Sequence, residues 1–356
     1  MVSMDRYDYF RKLVSIPSPS RHEDEMRDYI SSVLIPLGYG FRMDEAGNMV
    51  FFREDAKAAL CLAAHMDTVA PAVNANMAED DERFFTDGTT ALGADDKCAI
   101  AMMLELAEEG FNAVLLFFSA EEIGLWGSSH LDPHLLDGLG IECVYVIDAQ
   151  GDAGGVIREA VGKSRLTISV KGKAAHAGFA PEKGISALTC LADIVMKIPQ
   201  GHPDGESTCS VGSFICEGST NVVPDRAKAV LEVRSLSDEN RENIIASIIT
   251  GAEERAAAYG ASVSFTHERL YTHYAHSEDD PCIIRAVAAL RKAGASVTVK
   301  STTGGSDANN LNAIGVKAVV LASGYYNAHG TAEYLDKKQF DIMAAALRNL
   351  VREETL

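Results

Sequence analysis

The sequence predicts an α/β protein: a layered sandwich of strands and helices, interrupted by a smaller α+β domain. Three observations lead there. Short apolar runs without clean alternation occur at ALCLAA (59–64), AVLLFF (113–118), CVYVID (143–148) and VKAVVLA (316–322), the pattern of central strands covered on both faces. Helical patterns lie between these runs, as in a layer sandwich. At 356 residues the chain exceeds the size at which one hydrophobic core usually stops growing, so two domains are expected.

The helical patterns are MRDYISSVLIPLG near the start, DDKCAIAMMLELAEEG from Asp95, DPCIIRAVAALRKAG from Asp280 and KQFDIMAAALRNLVREE at the end. The middle of the chain reads differently. RLTISVKG (165–172) alternates as a strand, EKGISALTCLADIVMKI is helical, and STCSVGSFICEG and RAKAVLEVRS are two further strands. ENRENIIASIITGAEERAAAYG is then a helix and ASVSFTHERLY a strand. The order β-α-β-β-α-β is that of a ferredoxin-like domain. It is placed at residues 163–270, inserted into a domain built from residues 1–162 and 271–356. No internal repeat, low-complexity tract or long linker is found.

Hydrophobic content of 47% and charged content of 23% are those of an ordinary globular protein. The net charge of -19 argues against nucleic acid or an anionic membrane as partner, because both require a positive footprint. The first residues, MVSMDRYDYFRKL, carry charges where a secretory leader needs an apolar run, and no stretch is long and apolar enough to span a bilayer. Seven scattered cysteines without CxxC spacing read as reduced thiols, so a cytoplasmic location is expected.

Acidic and imidazole side chains gather after the apolar runs. In HMDTV, His65 and Asp67 follow a strand and, two apart, point the same way; a histidine whose second nitrogen meets a carboxylate is common at metals and also as a structural pair. A glycine-rich turn delivers Asp95 and Asp96 to a helix start, where Asp also serves as a cap. SAEEIG sets Glu121 beside Glu122 straight after AVLLFF, so the two acids repel unless the chain bends or a cation lies between them. Asp148 ends CVYVID, and His329 follows VKAVVLASG and its turn. Any one of these fits a satisfied loop residue. Together they cluster at strand C-termini, where open α/β sheets build sites. Two imidazoles and three carboxylates form a mixed N/O set suited to zinc, cobalt or manganese, without the thiolates of a structural zinc site. Two divalent ions balanced by three carboxylates and a hydroxide would be close to neutral, which removes the objection to so many acids in one place.

HMDTV, GADDK, SAEEIG, the Asp after VI, GKAAHAG, STNVVPD, EVRS, TTGGSDAN and NAHGTAEY, in this order, resemble the two-metal exopeptidase family that contains peptidase T, aminoacylase, acetylornithine deacetylase and glutamate carboxypeptidase. The likeness spans nearly the whole chain, and GADDK with GKAAHAGFAPEKGISA is nearest to the peptidase T branch. It implies a zinc-exopeptidase-like α/β/α catalytic domain and an inserted lid and dimerisation domain. It also implies that His65, Asp95 and Asp148 ligate one metal and Asp95, Glu122 and His329 the other. Asp95 would bridge them through a residue joined to Asp96 by a cis peptide bond, Asp67 would orient His65, and Glu121 would be the general base. Two metals roughly 3.5–4 Å apart hold a water whose pKa falls toward about 7, and a free carboxylate beside it takes the proton.

The resemblance further implies that His176 reaches the partner subunit's active site and that Asn221, Arg234, Gly304 and Gly305 contact substrate. Read by themselves, His176 is also an inert loop histidine and Arg234 a salt-bridge residue. The expected protein is a two-metal aminopeptidase acting on short peptides and assembled as a homodimer through its lid. A carboxypeptidase or N-acyl-amino-acid deacylase would use the same machinery, and a catalytically silent binding protein the same fold. The departures from peptidase T, DAQGDAGG after Asp148 and the surroundings of NAHG, leave the ligand set intact and bear on peptide length.

Overall fold

The computed structural model describes residues 4–53 and 60–352. Ala59, Glu353 and Glu354, at the margins of two expected elements, lie outside the described residues. The chain divides into two compact units, Met1–Glu159 with Ala275–Thr302 and Ser306–Leu356, and Ala160–Tyr274 with Thr303–Gly305.

In the first unit the sheet runs, from one edge, Gly40–Met43, Met49–Phe52, Val114–Phe118, Leu60–His65, Cys143–Ala149, Ala318–Ala322 and Gly155–Ala160, the last of which also pairs with Tyr274–Ala275 and Thr298–Thr302. The four strands Val114–Phe118, Leu60–His65, Cys143–Ala149 and Ala318–Ala322 pair parallel, and the flanking ones antiparallel. Every residue of Leu60–His65, Val114–Phe118 and Ala318–Ala322 is buried, so both faces are covered and the apolar runs need no alternation. Helix Ala94–Glu108 is buried along nearly its whole length, which explains its weak amphipathic pattern. Glu105 on it is neutralised by Arg6 and Arg348. Helix Pro281–Lys292 starts at Asp280, whose carboxylate accepts from Cys282 N, with Pro281 at the first helical position. Helix Lys337–Arg352 buries Phe340, Met343, Leu347 and Leu350.

Besides the flanking strands, which no apolar run announced, two features of this unit were not among the expected elements. Residues Arg6–Val14 form a helix capped by Asp5. A small antiparallel sheet joins Met77–Glu79, Arg83–Thr86, Tyr334–Asp336 and Tyr325–Tyr326. Its strands of two to four residues are too short to leave a periodic pattern.

The second unit is antiparallel, in the order Ser207–Ile215, Arg226–Ser235, Gly162–Lys171, Ser262–Tyr271. With helices Ala187–Val195 and Asp238–Tyr259 this is the ferredoxin-like β-α-β-β-α-β arrangement. Burial alternates strictly along Gly162–Lys171, one face meeting the two helices. Leu166, Ile168, Val170, Leu231 and Val233 meet Leu191, Ile245 and Ile248 in the core. Ser186 and Ser237 cap the helices by accepting from Thr189 N and Asn240 N. Among the described residues no helix is long and apolar enough to cross a membrane. All seven cysteines are free thiols.

Candidate metal centre

The parallel strands all end at one edge of the sheet, and the acidic and imidazole residues collect there. His65 is the last residue of its strand and is buried. Its Nε2 lies 3.1 Å from Asp95 Oδ1 and 3.8 Å from Asp148 Oδ1. Its Nδ1 lies 2.9 Å from the Asp67 carbonyl oxygen and 3.4 Å from Asp67 Oδ1; the shorter contact is the hydrogen bond. The Asp67 carboxylate therefore has its main partners elsewhere. It accepts from Glu121 N at 2.8 Å, Glu122 N at 3.1 Å and the Ser20 hydroxyl at 2.6 Å.

Asp95 arrives on a turn that begins at Gly93 in the left-handed region, φ 71°, and its own backbone is non-helical, joined to Asp96 by a cis bond. Glu333 anchors this turn: its carboxylate accepts from Leu92 N at 2.7 Å, Gly93 N at 2.8 Å and Asp95 N at 3.2 Å. His329, at φ 67° in the loop between the Tyr325–Tyr326 and Tyr334–Asp336 strands, places Nε2 at 3.0 Å from Glu122 Oε2 and 3.3 Å from Asp95 Oδ2.

Two groups of donor atoms thus lie mutually within 4.8 Å, His65 with Asp95 and Asp148, and Asp95 with Glu122 and His329. Asp95 belongs to both. His65, Glu121 and Glu122 form a third group at the same spacing, which sets Glu121 beside the other two groups.

Electrostatics favour cations at this point. Burial, then the neighbouring Asp95, drives the proton affinity of Asp148 far above the usual carboxylate range; burial and then Asp148 do the same to Glu121. Asp95 moves the opposite way: burial opposes the shift, but His329 and His65 outweigh it. His329 is raised to about 10 by Asp95 and Glu122. Glu122 Oε1 is buried without a hydrogen-bond partner. An acid-rich, mixed N/O donor set with an orphaned carboxylate oxygen fits two divalent cations sharing Asp95.

Residues that sequence reasoning missed surround the cluster. Besides Glu333, they are Tyr325, whose hydroxyl donates to Asp148 Oδ1 at 3.3 Å, and Asp307, buried without a well-formed hydrogen bond to either oxygen and raised to about 7 by burial, which outweighs the nearby Ser128. Both acids stand inside quoted motifs, NAHGTAEY and TTGGSDAN, so the motifs located them without assigning a task.

Comparison with known proteins gives the lineage. Residues 158–260 match the model of a peptidase dimerisation domain, and residues 49–183 that of peptidase family M28. The chain is 32% identical over 337 residues, 90% of each partner, to the uncharacterized protein YqjE of Bacillus subtilis. It is 25% identical to peptidase T of Streptococcus equi over 75% of this chain and 67% of that one. The solved structure of aminopeptidase PepT from Bacillus cereus superposes with a TM-score of 0.88 at 29% identity, covering 99% of this chain and 98% of that one. A tripeptidase from Staphylococcus aureus superposes at 0.91 and 29%, over 98% and 97%. A dinuclear metal-binding peptidase of the M20 family from Bacillus subtilis shares the fold at 0.74 and 17% identity. The chain is a peptidase T-like member of the M20 peptidase family.

In this metallopeptidase the remaining expected residues lie in the second unit, in two groups. Ala177 N donates to Asn221 O at 2.8 Å, which holds His176 and Asn221 side by side. Arg234 donates from Nε to Glu232 Oε1 at 2.9 Å and from Nη1 to the Thr303 carbonyl at 3.0 Å, which sets it beside Gly304 and Gly305. A Cβ on Gly305 would come within 2.3 Å of the Tyr271 ring, so that close approach requires glycine. The groups flank the two ends of Arg226–Ser235, and the eight steps from Arg226 to Arg234 alone span about 26 Å.

Proposed function

We propose that this metal-dependent aminopeptidase is a cytoplasmic di-zinc enzyme that removes the first residue from short peptides, tripeptides foremost. The carrying observation is the pair of donor groups sharing Asp95, with Glu121 beside them and outside the two triples that share it. His65, Asp95 and Asp148 would hold one cation, and Asp95, Glu122 and His329 the other. Bound there, the cations would supply Lewis acidity for the scissile carbonyl and lower the pKa of a water. Glu121 would be the base that takes a proton from the attacking water and returns it to the departing amine, and Asp67 fixes the backbone of both glutamates while its carbonyl orients His65.

His176 accepts at Nδ1 from Gly178 N, so the neutral ring carries its proton on Nε2 and is a donor for a developing oxyanion. The separation of His176 and Asn221 from Arg234 along one strand, with the dimerisation-domain match, supports a homodimer in which the His176 end serves the partner subunit. Arg234, Asn221, Gly304 and Gly305 are proposed to meet the substrate. The thiol state of the cysteines supports the cytoplasmic reading.

The test is hydrolysis of a free tripeptide, its N-acetyl form and an N-acetyl amino acid by zinc-loaded protein, with Glu121→Ala as control. Release of the first residue from the free tripeptide alone is the expected result. Cleavage of only the acetylated compounds would replace the aminopeptidase with a deacylase or carboxypeptidase.

A further inference from the structure

Four successive backbone N–H groups lead through the two glutamates, and each donates to a buried side-chain oxygen. Ser119 N donates to Asn48 Oδ1 at 3.2 Å, Ala120 N to Glu23 Oε1 at 3.0 Å, Glu121 N to Asp67 Oδ1 and Glu122 N to Asp67 Oδ2. Glu23, Asn48 and Asp67 are all fully buried and come from three separate segments. Asp67 was singled out by its motif; Glu23 and Asn48 were not.

Ala120 explains why the brace is needed. A continuing strand would send Glu121 and Glu122 to opposite faces. The chain bends instead at Ala120, which takes a left-handed conformation, φ 50°, that a residue with a Cβ adopts only when its surroundings impose it. Glu23 Oε1 also accepts at 2.8 Å from Arg21 N, and Arg21 is itself left-handed at φ 71°. One carboxylate oxygen thus ties two left-handed residues together, while Oε2 is held by Arg27 Nη1 at 3.2 Å. Asn48 closes the other side: its Nδ2 donates to the carbonyl of Gly127, where a Cβ would lie 2.0 Å from Ser119 O.

We propose that Glu23, seconded by Asn48, is a positioning residue for Glu121: it fixes the bend at Ala120 so that Glu122 joins the ligand cluster while Glu121 stays free beside it. The proposal rests on Glu121 being the base. Trp126, the only tryptophan of the chain, reports on the bend directly, because its N donates to Ala120 O at 3.0 Å and the Arg21 guanidinium stacks 3.6 Å above its ring.

The experiment compares Glu23→Ala and Glu23→Gln, each in wild-type and Glu121→Ala backgrounds, as full-length zinc-loaded protein. It reads kcat and KM on a free tripeptide, bound zinc and Trp126 emission. Glu23→Ala is expected to lower kcat about 10–100-fold, with KM and zinc content kept and the emission shifted. Glu23→Gln retains an acceptor oxygen and should recover part of the rate. In the Glu121→Ala background Glu23→Ala should add no further loss, because the residue acts through Glu121. A kcat within twofold of wild type, or the same fold-loss in both backgrounds, overturns the proposal. Should Glu23→Ala not fold, Glu23→Gln carries the test: a several-fold drop in kcat with shifted emission supports the brace, and neither change overturns it. If Glu121→Ala matches wild type, the base reading fails, whereas an unshifted Trp126 in Glu23→Ala removes the brace.

Discussion

The interior of the second unit, around Gly162–Lys171, is Leu166, Ile168, Val170, Leu231 and Val233 against Leu191 and Ile245. At the strand ends of the first unit the interior holds His65, Asp67, Asp95, Asp96, Glu333 and Asp307. Both sets of residues are buried. In the first, any apolar side chain of similar volume keeps the packing. At the strand ends, Asp67 and Glu333 each accept several N–H groups and Asp95 stands with the donor groups suited to cations, whereas Asp96 and Asp307 have no well-formed hydrogen bond to either oxygen and burial pushes their proton affinity up. Where a core departs from apolar composition this far, chemistry rather than packing selects its residues.

The difference can be broken at its extreme by Glu121→Ala, expected to lower kcat about 10²–10⁴-fold while leaving the melting temperature and two bound metals per chain unchanged. Equal activity in a tripeptide assay would return the acidic cluster to a purely structural role. Ile168→Ala in the second unit should do the reverse, costing about 2–5 kcal/mol in denaturant unfolding and leaving metal content untouched. Chelation sharpens the contrast: removing ions held at a hundredfold excess over Kd should destabilise the protein by about 2.7 kcal/mol for each ion, read as a drop in melting temperature. The smallest effect comes from the surface. Glu79 is held at a pKa of about 2 by Arg11 and Lys337, against an ordinary value of 4.5. Its contribution is complete above 4.5, is lost as pH falls toward 2, and after solvent screening stays below about 1 kcal/mol. Stability curves of wild type and Glu79→Gln should separate at neutral pH and converge near pH 2.

Legibility in the sequence followed the same division. The second unit could be read from alternation, because its strands have one covered face and its helices carry serine caps. The central strands were readable as unbroken apolar runs, and His65, Asp95, Glu121, Glu122, Asp148 and His329 stood out because each follows such a run or a glycine turn. Glu23 left no comparable trace, and Glu333 stood inside a motif that gave it no task. Their partners are backbone N–H groups far away in the chain, Ala120 for one and the Leu92–Asp95 turn for the other, and a main-chain partner has no residue identity to reveal it. The Tyr325–Tyr326 and Tyr334–Asp336 hairpin that carries His329 was likewise too brief for periodicity.

The strand Ala318–Ala322 lies between Cys143–Ala149 and Gly155–Ala160, although the chain makes those two first and then travels through an entire second unit before returning. The place between those two strands is therefore filled by a segment made later, and the proposed ligand His329 lies later still in the chain. A polypeptide abandoned by the ribosome before residue 318 has four of the five proposed metal ligands and no closed sheet to hold them.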